Sequence, residues 1–122
     1  MTQFTHLHVH SQYSLLDGQA AINKLVDKAI ADGQRGIALT DHGNMFGIKE
    51  LFNYVKKKNK ELDADNQFKP ILGCEMYVAR RGMLLKEGKQ DTSGWHLVVI
   101  AKNQTGYKNL IKLVSNSWVD GF

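Results

Sequence analysis

Near its start the chain reads Phe4-Thr5-His6-Leu7-His8-Val9-His10-Ser11, which places three histidines at alternate positions. Successive side chains of a β-strand point to opposite faces, so this pattern predicts a strand with Leu7 and Val9 in the core. The three imidazoles then share the other face. Because imidazole is the commonest metal-donating side chain at neutral pH, we predict that His8 and His10 bind a metal. The first of the three histidines is interpreted as a polar residue at the strand end, outside the site.

The length and the composition restrict the class of protein. With 122 residues the chain is one domain at most, and 43% hydrophobic residues suffice for a modest core. It has no run of about 18 apolar residues and no basic-then-apolar leader, so we expect neither a membrane span nor a secretory signal. Cys74 is the only cysteine, which excludes an internal disulfide and favours the cytoplasm.

Positive charge is in slight excess and is concentrated in one run. The formal net charge is +4, and much of the excess comes from Lys56, Lys57, Lys58 and Lys60. Such a charge permits contact with phosphate or nucleic acid but does not establish it. We favour a solvated helix face over a dedicated phosphate patch as the interpretation of this run.

Beyond the first predicted strand, apolar segments alternate with amphipathic patterns. The apolar residues of the stretch 22–30 follow helical spacing, and Gly33 is placed to end that helix. The compact apolar run 36–40 predicts a buried parallel strand. A second helix follows, and its inward-facing residues are expected to be Ile48, Leu51, Phe52 and Val55.

The second half of the chain continues with a polar loop and a third strand. That strand covers residues 71–78, is opened by Pro70 and contains Glu75. The polar, glycine-containing stretch 80–93 predicts a hairpin or a mobile loop. A fourth strand at residues 96–101 leads into a last helix, whose apolar residues are Tyr107, Leu110, Ile111, Leu113 and Val114.

The resulting order of elements is β-α-β-α-β-β-α, without an internal repeat. Strands that alternate with helices imply an α/β fold with a parallel sheet, either open or closed into a barrel. A closed α/β barrel usually needs about 250 residues, so a barrel interpretation implies that about half of the barrel is missing from this chain.

Side chains that bind metals recur along these elements. They are His8, His10, Asp17, Asp41, His42, Glu75 and His96. In parallel α/β folds, functional residues gather where strands end and loops begin. A mixture of imidazoles and carboxylates suits zinc, manganese or iron better than magnesium or calcium. Two or more such metals would clamp the attacking and leaving oxygens of a phosphate ester and would make hydroxide available near neutral pH.

Some of these residues have a second interpretation. Asp41 fits a helix N-cap, or the orientation of a ligand, as well as it fits direct ligation. Glu75 lies in an apolar strand, where an unpaired carboxylate would be costly to bury, so a cationic partner is expected. His96 begins its strand, and it reaches the site only if that strand runs antiparallel or bends; otherwise it is a surface histidine. Cys74 is interpreted as a small core residue.

Four stretches of the chain resemble motifs of the PHP (polymerase and histidinol phosphatase) domain family. Residues 4–18 are similar to the first motif, residues 38–47 to the second, and residues 69–78 to the segment that holds the family's glutamate ligand. The most specific stretch is residues 96–110. It resembles the PHP domain at the N-terminus of the alpha subunit of bacterial DNA polymerase III, rather than a free-standing phosphatase.

The resemblance implies both a fold and a metal site. The implied fold is the opening part of a distorted (β/α)7 barrel of PHP type, with a three-metal site at its C-terminal mouth. The residues that match the family's ligands are His8, His10, Asp17, His42, Glu75 and His96. All six are present, which favours a metal-binding version of the domain. We expect zinc, manganese or iron, with up to three ions in the complete domain.

The resemblance also carries an expectation about the extent of the chain. The family's remaining ligands, a later histidine or cysteine and a closing Asp-x-His, are expected beyond Phe122, as are the polymerase domains. We therefore interpret residues 1–122 as the N-terminal portion of a PHP domain. This portion alone is expected to be inactive and to self-associate, because a cut barrel leaves an unpaired sheet edge.

Three functions of the parent protein remain open on the sequence. In the first, the parent is a replicative DNA polymerase whose PHP domain hydrolyses phosphodiesters as a 3′–5′ exonuclease. In the second, it is an independent phosphoesterase of histidinol-phosphatase type. In the third, it is a polymerase in which the PHP domain is only structural. Residues 96–110 favour the first and third, and the intact ligands favour the first mildly. The first implies DNA and other replicase subunits as partners, in the cytoplasm and without a membrane.

Overall fold

The computed structural model describes residues 4–121 and contains three strands and three α-helices within that range. The strands are β1 (Gly36–Leu39), β2 (Lys69–Val78) and β3 (Trp95–Ile100), and the helices are α1 (Ile22–Ala31), α2 (Ile48–Asn59) and α3 (Gln104–Val119). Two short 3-10 turns cover Ala64–Asn66 and Gly88–Gln90. The three predicted helices and the second, third and fourth predicted strands are confirmed.

The strands form one mixed sheet in the order β1-β2-β3. β1 pairs with β2 in parallel, with Leu39 opposite Leu72. β2 pairs with β3 in antiparallel fashion, with Tyr77 opposite His96. The expectation of a parallel sheet therefore fails for β3. The cause is the connection: a helix joins β1 to β2, whereas the polar stretch 80–93 joins β2 to β3 as the predicted hairpin.

Residues 4–11, the N-terminal segment, do not form the regular strand that the histidine pattern predicts. Two backbone hydrogen bonds of 2.9 Å join the segment to the region of β1. One runs from the Ala38 N–H to the His6 carbonyl, and the other from the Thr40 N–H to the Val9 carbonyl. The segment thus advances three residues where its neighbour advances two, so it holds one extra residue, as in a β-bulge.

The extra residue breaks the alternation of faces along the N-terminal segment. The chain bends at His8. Val9 packs against the core as predicted, whereas Leu7 is about half exposed. The predicted burial of Leu7 is therefore wrong, because strict alternation holds only in an unbroken strand.

The hydrophobic core lies between β1 and the first two helices. Its buried residues on these elements are Ile22, Val26, Ala29, Ile37, Leu39, Ile48, Leu51 and Val55. Phe52 is 48% exposed, so its predicted inward orientation is wrong. Successive residues of a helix are separated by about 100°, and Leu51 already occupies the inner face beside it.

The ends of two helices follow from local sequence. Gly33 adopts φ 73°, its N–H bonds the Ile30 carbonyl, and the Gln34 N–H bonds the Ala29 carbonyl. This is a Schellman ending, which confirms the predicted C-terminal glycine. At the start of α3, the Asn103 side chain accepts a hydrogen bond from the Gly106 N–H.

The hairpin excursion between β2 and β3 is held by a cluster of opposite charges. Arg81 donates hydrogen bonds to Asp91 and to Glu87, with distances of 2.5 and 3.0 Å from its Nη2. The guanidinium holds the pKa of the Asp91 carboxyl below its usual range. These contacts give the polar excursion a fixed shape that the sequence pattern did not indicate.

Candidate metal centre

The carboxylate of Glu75 lies at the centre of a group of histidines. Glu75 is 4% exposed, and its Oε2 lies 2.5 Å from His10 Nε2 and 3.4 Å from His8 Nε2. Its Oε1 lies 2.9 Å from His96 Nδ1. The contacts of this buried glutamate are therefore made by three imidazoles from two other parts of the chain.

The antiparallel pairing of β3 explains how His96 reaches the site from the beginning of its strand. Tyr77 lies directly opposite His96, and Glu75 is two residues before Tyr77 on β2. Residues two apart on a strand share a face, so Glu75 and His96 are diagonal neighbours on the same face. Of the interpretations that the sequence left open for His96, the antiparallel strand is correct.

Asp17 and His42 form a second carboxylate–imidazole pair beside the first. His42 Nδ1 lies 2.5 Å from Asp17 Oδ2, and His10 Nδ1 lies 3.8 Å from the same oxygen. His10 therefore contacts both carboxylates through its two ring nitrogens. His42 comes close to Glu75 because the parallel pairing of β1 and β2 continues past Leu39, where the Gly43 N–H donates to the Glu75 carbonyl.

All six residues that match the family's ligands thus lie in one connected group. The donor atoms of His8, His10 and Glu75 are all within 4.8 Å of one another, close enough for the three side chains to converge on a single ion. Within residues 4–121, no other group of three or more histidine, cysteine or carboxylate side chains brings its donor atoms so close together. His6 is not one of these converging donors, and its ring lies against Phe4 with the centroids 4.7 Å apart.

The electrostatics of Glu75 favour its charged form. Burial raises the pKa of this carboxyl, but the hydrogen bonds from His96, His10 and His8 outweigh burial and hold the pKa below its usual range. An ionised glutamate surrounded by imidazoles is a suitable donor set for a divalent cation, because metal ligands must be deprotonated to bind.

Thr40 fixes the backbone from which two of the histidines project. It is fully buried, its Oγ1 accepts a hydrogen bond of 2.9 Å from the Val9 N–H, and its own N–H donates to the Val9 carbonyl. Val9 lies between His8 and His10 in sequence, so this double contact sets the position of both imidazoles. Sequence reasoning missed this role of Thr40, which it counted only as the end of a strand.

Replacing Thr40 with valine is expected to weaken metal binding more than it weakens the fold. Valine has the same shape but leaves the Val9 N–H without its side-chain acceptor. We expect a loss of about 1–2 kcal/mol in the free energy of unfolding and a loss of about 10-fold in zinc affinity. Urea denaturation and isothermal titration with Zn²⁺ measure the two effects. A variant with unchanged zinc affinity would show that Thr40 does not position the histidines.

Asp41 connects the segments that carry the ligands. Its carboxylate accepts hydrogen bonds from the Ser11 N–H at 2.6 Å, the Ser11 hydroxyl at 2.8 Å and the Ser14 hydroxyl at 2.7 Å. Its carbonyl accepts from the Glu75 N–H at 3.0 Å. The N-cap interpretation is wrong, because the residue that caps α2 is Gly47.

The two serines were not identified as functional residues from the sequence. Ser11 and Ser14 are fully buried and follow the histidine segment directly. Ser14 also accepts a hydrogen bond of 2.9 Å from the His42 N–H. The signal that could have indicated them is their spacing of three residues between His10 and Asp17, which suits a tight turn that contacts one buried acceptor.

Cys74 is a buried core residue, as predicted, and is expected to be chemically inert. Burial and the nearby Asp41 charge raise the pKa of its thiol to about 11. Since the thiolate is the reactive form, we expect iodoacetamide at pH 8 to modify the folded chain about 100-fold more slowly than the urea-unfolded chain. Mass spectrometry of the modified fraction over time measures both rates. Equal rates would show that Cys74 is accessible and ionised.

Comparison with known proteins places the chain in a family. The family model described as the PHP domain matches residues 6–122. The chain belongs to the PHP domain family. This PHP chain is 47% identical to DNA polymerase III subunit alpha of Borreliella burgdorferi, over 99% of its own length and 10% of that protein. It is 45% identical to the same subunit of Treponema pallidum, over 97% and 10%. The chain therefore spans about a tenth of these curated relatives.

A solved structure supports the fold. An amidohydrolase from Chromobacterium violaceum superimposes with a TM-score of 0.55 and 21% sequence identity, over 92% of the PHP chain and 34% of the amidohydrolase. The expected fold class, an α/β fold of PHP type, is confirmed by this match together with the mixed sheet and its helices. No helix within residues 4–121 is both long enough and apolar enough to cross a membrane.

Proposed function

We propose that the chain is the metal-binding opening part of a PHP domain in a bacterial replicative DNA polymerase. The observation that carries the proposal is the buried Glu75 carboxylate with His8, His10 and His96 around it. The names and high identity of the relatives support the polymerase context. In this proposal residues 1–122 form the N-terminal portion of the domain, and the polymerase activity belongs to other domains.

The donor set fits a transition-metal cation. The group around Glu75 supplies imidazole nitrogens and one carboxylate. The group around Asp17 supplies that carboxylate and His42, and His10 lies between the two groups. Such nitrogen and oxygen ligands suit zinc, manganese or iron, whereas calcium and magnesium prefer oxygen alone. We propose that His8, His10, Asp17, His42, Glu75 and His96 are ligands, and that the complete domain holds up to three ions.

The proposed chemistry is hydrolysis of a phosphodiester, as a 3′–5′ exonuclease. A bound divalent metal would supply a hydroxide at neutral pH and would neutralise charge on the phosphoryl oxygens. The protein's own contribution is orientation. An ionised carboxylate only accepts hydrogen bonds, so Asp17 and Glu75 hold the Nδ1–H of His42 and His96 and leave each Nε2 free to act as a donor to an ion.

Two other functions are less well supported. A free-standing phosphatase of the histidinol type is disfavoured, because the relatives at 45–47% identity are named as polymerase subunits. A purely structural PHP domain would not require six connected ligand residues around two carboxylates. The amidohydrolase neighbour bears on the fold only.

The decisive test of this function uses the full-length polymerase that carries the sequence. Glu75→Ala in that protein is expected to abolish 3′–5′ nuclease activity and to leave nucleotide addition within about twofold of the wild type, since the two activities belong to different domains. Primer degradation and primer extension are measured on the same preparation. Retention of both activities would show that the site is structural, and loss of both would show that it supports the polymerase fold.

The proposal extends to partners and location. As part of a replicase the chain would meet DNA and other replicase subunits in the cytoplasm. By itself it is expected not to turn over a phosphodiester, because within residues 4–121 only three donors converge within 4.8 Å.

Isolated 122-residue chains are also expected to associate with one another. Within the described residues the outer edge of β3 has no strand partner, and the nearby apolar side chains Trp95 and Leu97 are half exposed or more. Open strand edges and exposed apolar surface promote pairing between chains. Sedimentation velocity at about 5 and 100 µM is expected to show dimers or larger species that increase with concentration. A monomer at both concentrations would contradict this expectation.

A further inference from the structure

Tyr77 contacts two of the proposed ligands with its aromatic ring. The ring lies edge-on to His96, with centroids 4.4 Å apart and an interplanar angle of 85°. It lies against His42 at 5.1 Å and 37°. His42 follows β1 and pairs with Asp17, whereas His96 lies on β3 and pairs with Glu75, so Tyr77 connects the two halves of the site.

The place of Tyr77 is fixed by the sheet. It is two residues after Glu75 on β2 and directly opposite His96 on β3, so all three side chains share one face. His42 is held at one ring nitrogen by Asp17, and Asp17 itself lies in a loop between residues 11 and 22. One hydrogen bond leaves a ring free to rotate about the bond axis, whereas a second contact on its face restricts that rotation.

Tyr77 differs from the six proposed ligands in the kind of contact that it makes. Its described contacts with His42 and His96 are made by the ring, and about half of its surface is exposed at the side of the site. Perpendicular and tilted aromatic pairs at these distances are attractive beyond the burial of area. The ring is therefore suited to hold the imidazoles in place, not to donate an electron pair to an ion.

We propose that Tyr77 is a positioning residue that fixes the rings of His42 and His96 for metal binding. The inference rests on the proposed metal site and adds a residue to it. Contacts that orient a metal ligand typically affect affinity by 10- to 100-fold. Tyr77→Ala is accordingly expected to weaken zinc binding by about 10-fold, and Tyr77→Phe, which keeps the ring, is expected to bind within about twofold of the wild type.

The experiment titrates the metal-free 122-residue chain with Zn²⁺ alone by isothermal calorimetry. Val78→Ala is the matched control, because Val78 is the next residue on β2, has similar exposure and points to the opposite face. It is expected to bind zinc as the wild type does. In the same metal-free chains, the ring ¹⁵N signals of His42 and His96 report the tautomer and are little affected by a neighbouring ring. They are expected to show a single Nδ1–H tautomer in the wild type and in Val78→Ala, and a mixture of tautomers in Tyr77→Ala.

Each outcome separates this inference from the proposed function. If the wild type binds no zinc, the proposed metal site fails, and the tautomers of His42 and His96 in the metal-free chains then decide whether Tyr77 positions the rings. If zinc binds and Tyr77→Ala binds it equally well, the positioning role is overturned. The role is also overturned if Tyr77→Phe is as weak as Tyr77→Ala, or if Val78→Ala is equally weak, because the effect then belongs to the hydroxyl or to the strand.

Discussion

Glu75→Ala is expected to lower the affinity of the chain for Zn²⁺ by at least about 100-fold. Glu75 contacts His8, His10 and His96, and its removal takes away a negative charge at the centre of the site. Metal binding by these three histidines would then rest on imidazole nitrogens without the Glu75 carboxylate. Isothermal titration of the metal-free chain with Zn²⁺ measures the change.

Two further variants make this result specific. Glu75→Gln keeps the shape of the side chain and loses its charge, so it is expected to bind zinc as weakly as the alanine variant to within about 10-fold. Glu50→Ala removes an exposed carboxylate that accepts a hydrogen bond from Tyr13, and it is expected to leave zinc affinity unchanged. Wild-type affinity in Glu75→Ala would place the ion elsewhere in the chain.

Asp41→Asn is expected to cause the largest loss of stability, about 3 kcal/mol in the free energy of unfolding. The Asp41 carboxylate accepts three hydrogen bonds from Ser11 and Ser14 while fully buried. An amide presents an NH₂ group to one of these donors, so that a buried donor is left unsatisfied. Thermal unfolding followed by circular dichroism is expected to show a midpoint about 10 °C lower.

A matched control tests whether the position matters. Asp65 lies in the exposed 3-10 turn Ala64–Asn66, and Asp65→Asn is expected to change stability by less than about 0.5 kcal/mol. If Asp41→Asn were as mild as this control, the carboxylate of Asp41 would not be what joins the serine turn to the strand. If Asp41→Asn is destabilised as expected, zinc affinity should fall as well, because Ser11 follows His10 directly.

The parts of the fold that depend on local pattern could be predicted from the sequence. The apolar spacing of α1, that of α2 apart from Phe52, and the glycine at Gly33 are local signals, and each appears in the structure where it was expected. The errors at Leu7 and in the direction of β3 arose where one residue meets a distant one. The bulge that exposes Leu7 depends on how the N-terminal segment aligns with residues near Thr40, some 31 positions later.

In the candidate site, too, the residue types could be predicted from the sequence, whereas the contacts between distant residues could not. Residue types and family motifs indicated the six proposed ligands, since imidazoles and carboxylates are chemically conspicuous. The supporting contacts were not visible, because Thr40, Ser11 and Ser14 are ordinary residues whose role depends on partners 27 to 31 positions away. Tyr77 lies opposite His96 only because the hairpin places β3 in one particular register.

The most direct test of the account is to locate the metal itself. The 122-residue chain is equilibrated with excess Zn²⁺, freed of unbound ions, analysed for zinc content by mass spectrometry and crystallised for diffraction above the zinc absorption edge. We predict at least one zinc per chain and an anomalous peak in contact with His8, His10 and Glu75. A zinc-free chain, or a peak bound to other residues while Glu75 stays without an ion, would contradict the proposal.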